Sequence, residues 1–112
     1  MLRRKGHRIL YAGRRNRYGE IDLVTIDERA PGRPIVFVEV KTRRDTRGGS
    51  PAEAVTPEKQ RRLTRTAMSF LRANDLEDHP SRFDVVAILW APDERSPTSV
   101  DHIENAFEAS TS

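Results

Sequence analysis

The sequence predicts an α/β domain built on one mixed sheet. Three observations carry that expectation. IVFVEVKT (35–42) and FDVVAILW (83–90) are continuous β-branched and aromatic runs of strand length. Between them, residues 57–73 show helical spacing of apolar positions, and GEIDLVTID (19–27) precedes the first run across a Pro/Gly turn. Strands separated by a helix of this length pack into one sheet with the helix on a face. A chain of 112 residues has room for one core, so it reads as a single domain over 1–112.

The elements follow in order. HRILYAG (7–13) is a first strand, and the polar stretch Arg14 to Tyr18 reads as a turn. In the second strand, 19–27, alternation sets Ile21, Leu23 and Thr25 on one face and Glu20, Asp22, Val24 and Ile26 on the other. Ala30-Pro31-Gly32-Arg33-Pro34 turns the chain. The strand 35–42 follows, apolar enough to be central and covered on both faces. Ser50-Pro51-Ala52-Glu53 combines an N-cap serine, Pro at the first helical position and Glu at the third, which predicts a first helical turn. Thr56-Pro57 starts the main helix, with Leu63, Ala67, Phe70 and Leu71 inward and Arg61, Arg65 and Arg72 on a solvated opposite face. After a polar linker containing Pro80 come the strand 83–90 and a weaker one at 99–104, with a frayed tail after Phe107. The order is β-β-β-α-β-β.

Composition narrows the function classes. No run is long and apolar enough for a membrane span or a secretion signal, and there is no cysteine for a disulfide framework or a thiolate metal site. The expectation is a cytoplasmic protein with no membrane partner. Net charge is +3, with arginine concentrated at Arg3-Arg4-Lys5, Arg14-Arg15-Asn16-Arg17, Lys41-Thr42-Arg43-Arg44 and Lys59-Gln60-Arg61-Arg62. Such clusters suit a polyanion, although any one of them is more often a solvated face. His7, His79 and His102 are scattered without metal-ligand spacing.

The apolar hairpin 19–41 carries Glu20, Asp22, Glu39 and Lys41, and carboxylates are seldom left in a half-buried sheet without partners. Phe37, Glu39 and Lys41 share one strand face. If the two strands pair, Asp22 and Glu39 come within reach of one divalent ion, and a small set of oxygen ligands with open positions is what Mg²⁺ prefers. Lys41 would hold or activate the attacking water. The bland alternative is a same-face Glu39–Lys41 ion pair at a sheet edge, and an E-x-K tripeptide alone favours it. The acid on the preceding strand and the flanking arginines shift the balance toward a site.

GEIDLV, FVEVKTR, PAEAVTPEKQRRL and RFDVV, in this order, resemble the YraN family of uncharacterised bacterial proteins, over roughly residues 6 to 107. That family is assigned a restriction-endonuclease-like fold, in which helices flank a mixed central sheet, and is similar to archaeal Holliday junction resolvases. The resemblance implies a nuclease core of the PD-(D/E)xK type that uses Mg²⁺ or Mn²⁺. Asp22 is then the first acid, Glu39 the second and Lys41 the lysine, with Glu20 as a possible extra metal ligand. It also implies that the helix contributes a polar group, for which Lys59 and Gln60 are second-rank candidates. Arg14, Arg15 and Arg17, with Arg43, Arg44 and Arg47, would hold the DNA backbone, and each neutralised phosphate would make binding more salt-sensitive. Resolvases of that fold act as dimers on branched DNA, which by analogy extends to a homodimer here. Relatives carry a further helix with a glutamate ahead of the stretch matching Gly6-His7-Arg8-Ile9-Leu10, and Met1-Leu2-Arg3-Arg4-Lys5 has no counterpart to it. That departure favours a rival reading, a nucleic-acid-binding module that keeps the fold without turnover. A structural partner protein with an incidental basic surface is the third.

Overall fold

The computed structural model describes residues 1–45, 47 and 55–109. Five strands, β1 (His7–Asn16), β2 (Gly19–Asp27), β3 (Ile35–Arg43), β4 (Ser81–Leu89) and β5 (Ser99–Phe107), form one sheet in the order β1-β2-β3-β4-β5. Only β3 and β4 run parallel, and the connection between them contains the single α-helix among the described residues, α1 (Pro57–Ala73). The expected mixed sheet is therefore present. Among the described residues α1 is the helix packed on the sheet, and the other face carries a 3-10 turn, Arg3–Lys5, whose neighbour Leu2 is buried. The helical start expected at Ser50–Glu53 lies outside the described residues.

Most element bounds follow the local signals. Thr56 caps α1, its hydroxyl accepting the Lys59 N–H at 3.2 Å, and Pro57 occupies the first turn, where its missing N–H costs nothing. The polar residues Arg14 to Asn16 continue β1 instead of turning, because they pair with Gly19, Glu20 and Ile21; the turn shrinks to Arg17 and Tyr18. The last strand runs on to Phe107, whose ring stacks on Phe83 at 4.7 Å. Trp90 lies at the edge, 40% exposed, with its indole N–H donated to the Glu94 carbonyl.

The core sits between α1 and the sheet. Leu63, Ala67, Phe70 and Leu71 of the helix pack on Ile21, Val24, Ile35, Phe37, Phe83 and Val85, as the periodicity predicts. Thr64 and Thr66 are also buried, and their hydroxyls donate to the Gln60 and Arg62 carbonyls one turn back. Aromatic rings link the layers: Tyr11 meets Phe70 edge-on at 5.5 Å, Phe70 meets Phe37 at 5.9 Å, and Phe37 leads on through Phe83 to Phe107. Val36, Val38 and Val86 face the other way, under Leu2. No helix among the described residues is long and apolar enough to cross a membrane.

Alternation in β2 departs from strict period two. Ile21 and Val24, three residues apart, belong to the same core layer, while Leu23 packs in the opposite one. The predicted grouping of Ile21 with Leu23 is thus corrected. The cause is visible in the pairing, which runs Ile26–Ile35, Thr25–Val36, Val24–Phe37 and Leu23–Val38 and stops there. Beyond that point β2 and β3 part.

Phe70 touches both Tyr11 and Phe37, so Phe70→Ala removes the hub of the aromatic chain. It is expected to cost about 3–5 kcal/mol, read as a lower urea midpoint with an unchanged slope; Phe70→Leu should retain most of that stability.

Candidate functional site

The parting of β2 from β3 leaves backbone groups without a ladder partner, and a side chain fills in. The Asp22 carboxylate accepts the Val40 N–H at 2.8 Å through Oδ2. This holds Asp22 in the fork of the two strands. Glu39, the position that would have paired with Asp22 had the ladder continued, faces α1, where its Oε1 accepts from Lys59 Nζ at 2.8 Å and lies 3.6 Å from Lys41 Nζ. Gly19, Glu20, Asp22, Glu39, Lys59, Arg62, Leu63 and Thr66 line one cleft of about 270 Å³. Glu39 is only 8% exposed, so its charge is held by the lysines rather than by bulk water.

The two lysines are driven apart. The neighbouring Lys59 ammonium, together with burial, pulls Lys41 below the ordinary lysine value, and Glu39 offsets this only in part. Burial pulls Lys59 down as well, but its bond to Glu39 and the contact with Lys41 outweigh that and hold it above its ordinary value. Lys59 is the lasting cation and Lys41 the amine that gives up its proton more readily.

The expected site residues are placed as follows. Asp22, Glu39 and Glu20 meet in the cleft, and Lys41 touches Glu39 from the same strand. Glu20 is paired with Arg15 at 2.8 Å, which neutralises both. Lys59 turns out to be the principal partner of Glu39, whereas Gln60 turns away and donates to the Val55 carbonyl at 2.9 Å. Arg14 lies over the Tyr11 ring at 4.9 Å, and Arg17 over Tyr18 at 4.8 Å. Arg43 ends β3, Arg44 is exposed, and Arg47 pairs with Asp45 at 3.7 Å. Arg62, read in sequence only as part of a basic cluster, and Thr66, which was not singled out, also line the cleft. Their signal was the i+3 and i+7 spacing from Lys59.

The cleft has donors suited to a hard divalent cation. Each carboxylate has one oxygen engaged by the protein, Oδ2 of Asp22 and Oε1 of Glu39. Among the described residues nothing holds Asp22 Oδ1 or Glu39 Oε2. Asp22 Oδ1 and Glu39 Oε2 are the oxygens through which the cleft could hold such an ion.

A second polar cluster lies on the face away from α1, and its chemistry is different. His7 and His102, from the two edge strands, approach to 5.4 Å between ring centres, so the sheet curls over this face. Asp84, fully buried, accepts four hydrogen bonds: Arg82 Nε (2.9 Å) and the Asn105 N–H (3.0 Å) at Oδ1, and His102 Nε2 (2.6 Å) and Arg82 Nη2 (3.1 Å) at Oδ2. Arg82 also reaches Asp27 at 3.0 Å, and His7 Nδ1 bonds the Thr25 hydroxyl at 2.8 Å. His7, Asp84 and His102 are close enough together to surround an ion. With both Asp84 oxygens saturated and Arg82 between the acids, however, the cluster is complete without one. Of the three histidines judged scattered in sequence, His7 and His102 are gathered here, while His79 bonds the Arg33 carbonyl at 2.8 Å.

Sequence comparison gives the family. The model of uncharacterised protein family UPF0102 matches residues 1–88. The chain belongs to that family. A UPF0102 protein of Rhodopirellula baltica is 48% identical over 109 residues, covering 97% of this chain and 64% of the relative. One from Pelobacter propionicus is 50% identical over 108 residues, 96% of this chain and 74% of the relative. One from Symbiobacterium thermophilum is 48% identical over 108 residues, 96% and 86%. The chain thus spans just under two thirds of the Rhodopirellula protein's length. Membership of UPF0102 is what the YraN resemblance implied; the family description assigns no activity to the cleft.

The buried cluster makes stability fall with acid in two stages. His7 is held below its ordinary value chiefly by burial, with His102 and Arg82 adding to the effect and Asp27 opposing it. Neutral His7 is thus the folded form, and its contribution is complete above pH 6.5 and declines as pH falls below that. Burial pushes Asp84 and Asp27 up, but the bonds from Arg82, with those from Asn105 and His102 to Asp84 and from Arg29 to Asp27, hold both below their ordinary value. Their contribution is complete above about pH 3.8 and is lost below it. Urea unfolding from pH 8 to 3 should show both declines, and His7→Gln should remove the upper one. Asp84→Asn leaves Arg82 short of a counter-charge and should cost about 3–5 kcal/mol at pH 7.

Proposed function

We propose that the cleft hydrolyses phosphodiester bonds in DNA with the help of a divalent ion, Mg²⁺ or Mn²⁺, on a core of restriction-endonuclease-like type. The observation that carries this reading is the placing of Asp22 and Glu39 in one cleft where β2 and β3 part, each with one oxygen left over, beside Lys41 and Lys59. Asp22 and Glu39 would hold the ion, which when bound neutralises phosphate charge and acidifies a water. Lys41 would orient the attacking water and take its proton. Lys59 keeps its charge and faces the negative charge that develops on the phosphate. Arg62, at the rim of the same cleft, is free to turn to a backbone oxygen, since its 3.8 Å contact with Glu58 is exposed and weak.

One observation favours a second reading, the binding module without turnover. Lys59 already satisfies Glu39 at 2.8 Å, so the cleft is electrostatically closed without an ion.

Cleavage separates the two readings. Labelled four-way-junction, flap and linear DNA would be incubated with Mg²⁺, Mn²⁺ or EDTA. Metal-dependent cutting reduced at least about 100-fold by Glu39→Ala, Asp22→Asn or Lys41→Ala is expected. Cutting that survives all three variants would remove this cleft from the chemistry, and salt-sensitive binding with no cutting would establish the second reading.

A further inference from the structure

The outer side of α1 was expected to be solvated, and part of it is not simply so. Tyr18, Arg65, Met68, Ser69 and Arg72 line a second cleft of about 270 Å³. It adjoins the first. Tyr18 of the β1–β2 turn adjoins Gly19, the first residue of β2, and Arg62 and Thr66 of the first cleft lie one helical turn from Arg65 and Ser69 of the second. The turn between the clefts is pinned to the helix. Asn16 donates to the Thr66 carbonyl at 3.1 Å, and a Cβ at Gly19, where φ is +151°, would stand 3.2 Å from Thr66 Oγ1. Glycine is what allows this approach.

We propose that these two clefts form one track for a single DNA strand, which leaves the Asp22–Glu39 centre along α1 and stacks an unpaired base on Tyr18. The proposal rests on the nuclease reading for the location of its centre, but not on turnover. Three observations support it. Arg62, Arg65, Ser69 and Arg72, at steps of three, four and three, share one helix face and span about 15 Å. Their charges are available: Arg65 makes no ion pair among the described residues, Arg62 contacts Glu58 only at 3.8 Å, and Arg72 contacts Glu77 only at 3.9 Å, all at the surface. Tyr18 is 36% exposed, and its ring is already steadied by the Arg17 guanidinium 4.8 Å from its centre and by the Arg17–hydroxyl bond at 2.6 Å. Beside Met68, which is 43% exposed, it offers an apolar, partly rigid platform within a basic groove. Aromatic platforms beside cations are how proteins hold unpaired strands, and a base in a duplex stack cannot reach such a platform without being unpaired.

Binding in EDTA tests the track apart from catalysis. Fluorescence anisotropy would compare a labelled dT20 oligonucleotide with a 20-base-pair blunt duplex at several salt concentrations. The single strand is expected to bind more tightly than the duplex. Tyr18→Ala should weaken dT20 by about 10-fold, within the range of one lost stacking contact, while Tyr18→Phe should restore it. Arg65→Gln with Arg72→Gln should lower the salt slope by about 1.4, the loss of two phosphate contacts on a single strand. All the altered side chains are at the surface, and an unchanged melting temperature would exclude misfolding. Equal binding of strand and duplex, insensitivity to Tyr18→Ala, or no binding at all would overturn the track. Cutting of DNA that ignores Tyr18 would leave the nuclease reading standing and remove this one. Tyr18-dependent binding with no cutting by the metal-supplied protein would do the reverse.

Discussion

The hydrogen bond from the Val40 N–H to the Asp22 carboxylate is the constraint around which the functional half of the molecule is arranged. A sheet that paired without interruption would set residue 22 opposite residue 39 and seal both into a ladder. The ladder stops at Leu23–Val38, and a side-chain oxygen takes over as acceptor. A buried amide is thereby satisfied at the moment when the strands diverge, which keeps the cost of opening the sheet low. The divergence also moves Ile21 into the layer that packs on α1, so the fork and the core are built by the same displacement.

The two faces of the sheet treat charge in opposite ways. Away from the helix, both Asp84 oxygens are taken up by Arg82, His102 and the Asn105 N–H, and Arg82 also reaches Asp27. Toward the helix, Asp22 and Glu39 are each only half engaged, and the lysines beside them differ in proton affinity. Saturated networks rigidify and unsaturated ones recruit. This contrast, more than the abundance of acids and bases, singles out one cluster as structural and the other as a candidate for chemistry.

Much of this was legible in sequence because it is local. Period two along β3 placed Phe37, Glu39 and Lys41 together, Thr56-Pro57 marked the helix start, and the apolar stripe of α1 named its core residues. What could not be read is relational. The curl that brings His7 of one edge strand to His102 of the other has no trace in spacing, because the two are 95 positions apart. Arg14 and Arg15 looked like turn residues by composition, yet cross-strand pairing with Ile21 and Glu20 overrode that preference. Lys59 was ranked below Lys41 because α1 could not be oriented over the sheet from its own periodicity. Only its seating on Phe37 and Ile21 brings the first turn over Glu39.

The parallel pairing of β3 with β4 also has a bearing on how the chain assembles in time. β1, β2 and β3 meet their partners across short turns, but β4 reaches β3 only after residues 44–80 have been looped back. Closing such a loop costs about 3 kcal/mol of chain entropy before any contact repays it. Contact order makes the meander the part expected to form first and the docking of β4 the part expected to follow. Asp84 and Arg82 travel on that late strand, so the densest polar network in the molecule is completed only as the sheet closes. Until then Asp27 lacks Arg82 and His7 lacks its ring contact with His102, and the half-formed meander presents the unpaired edge of β3 to any other strand within reach.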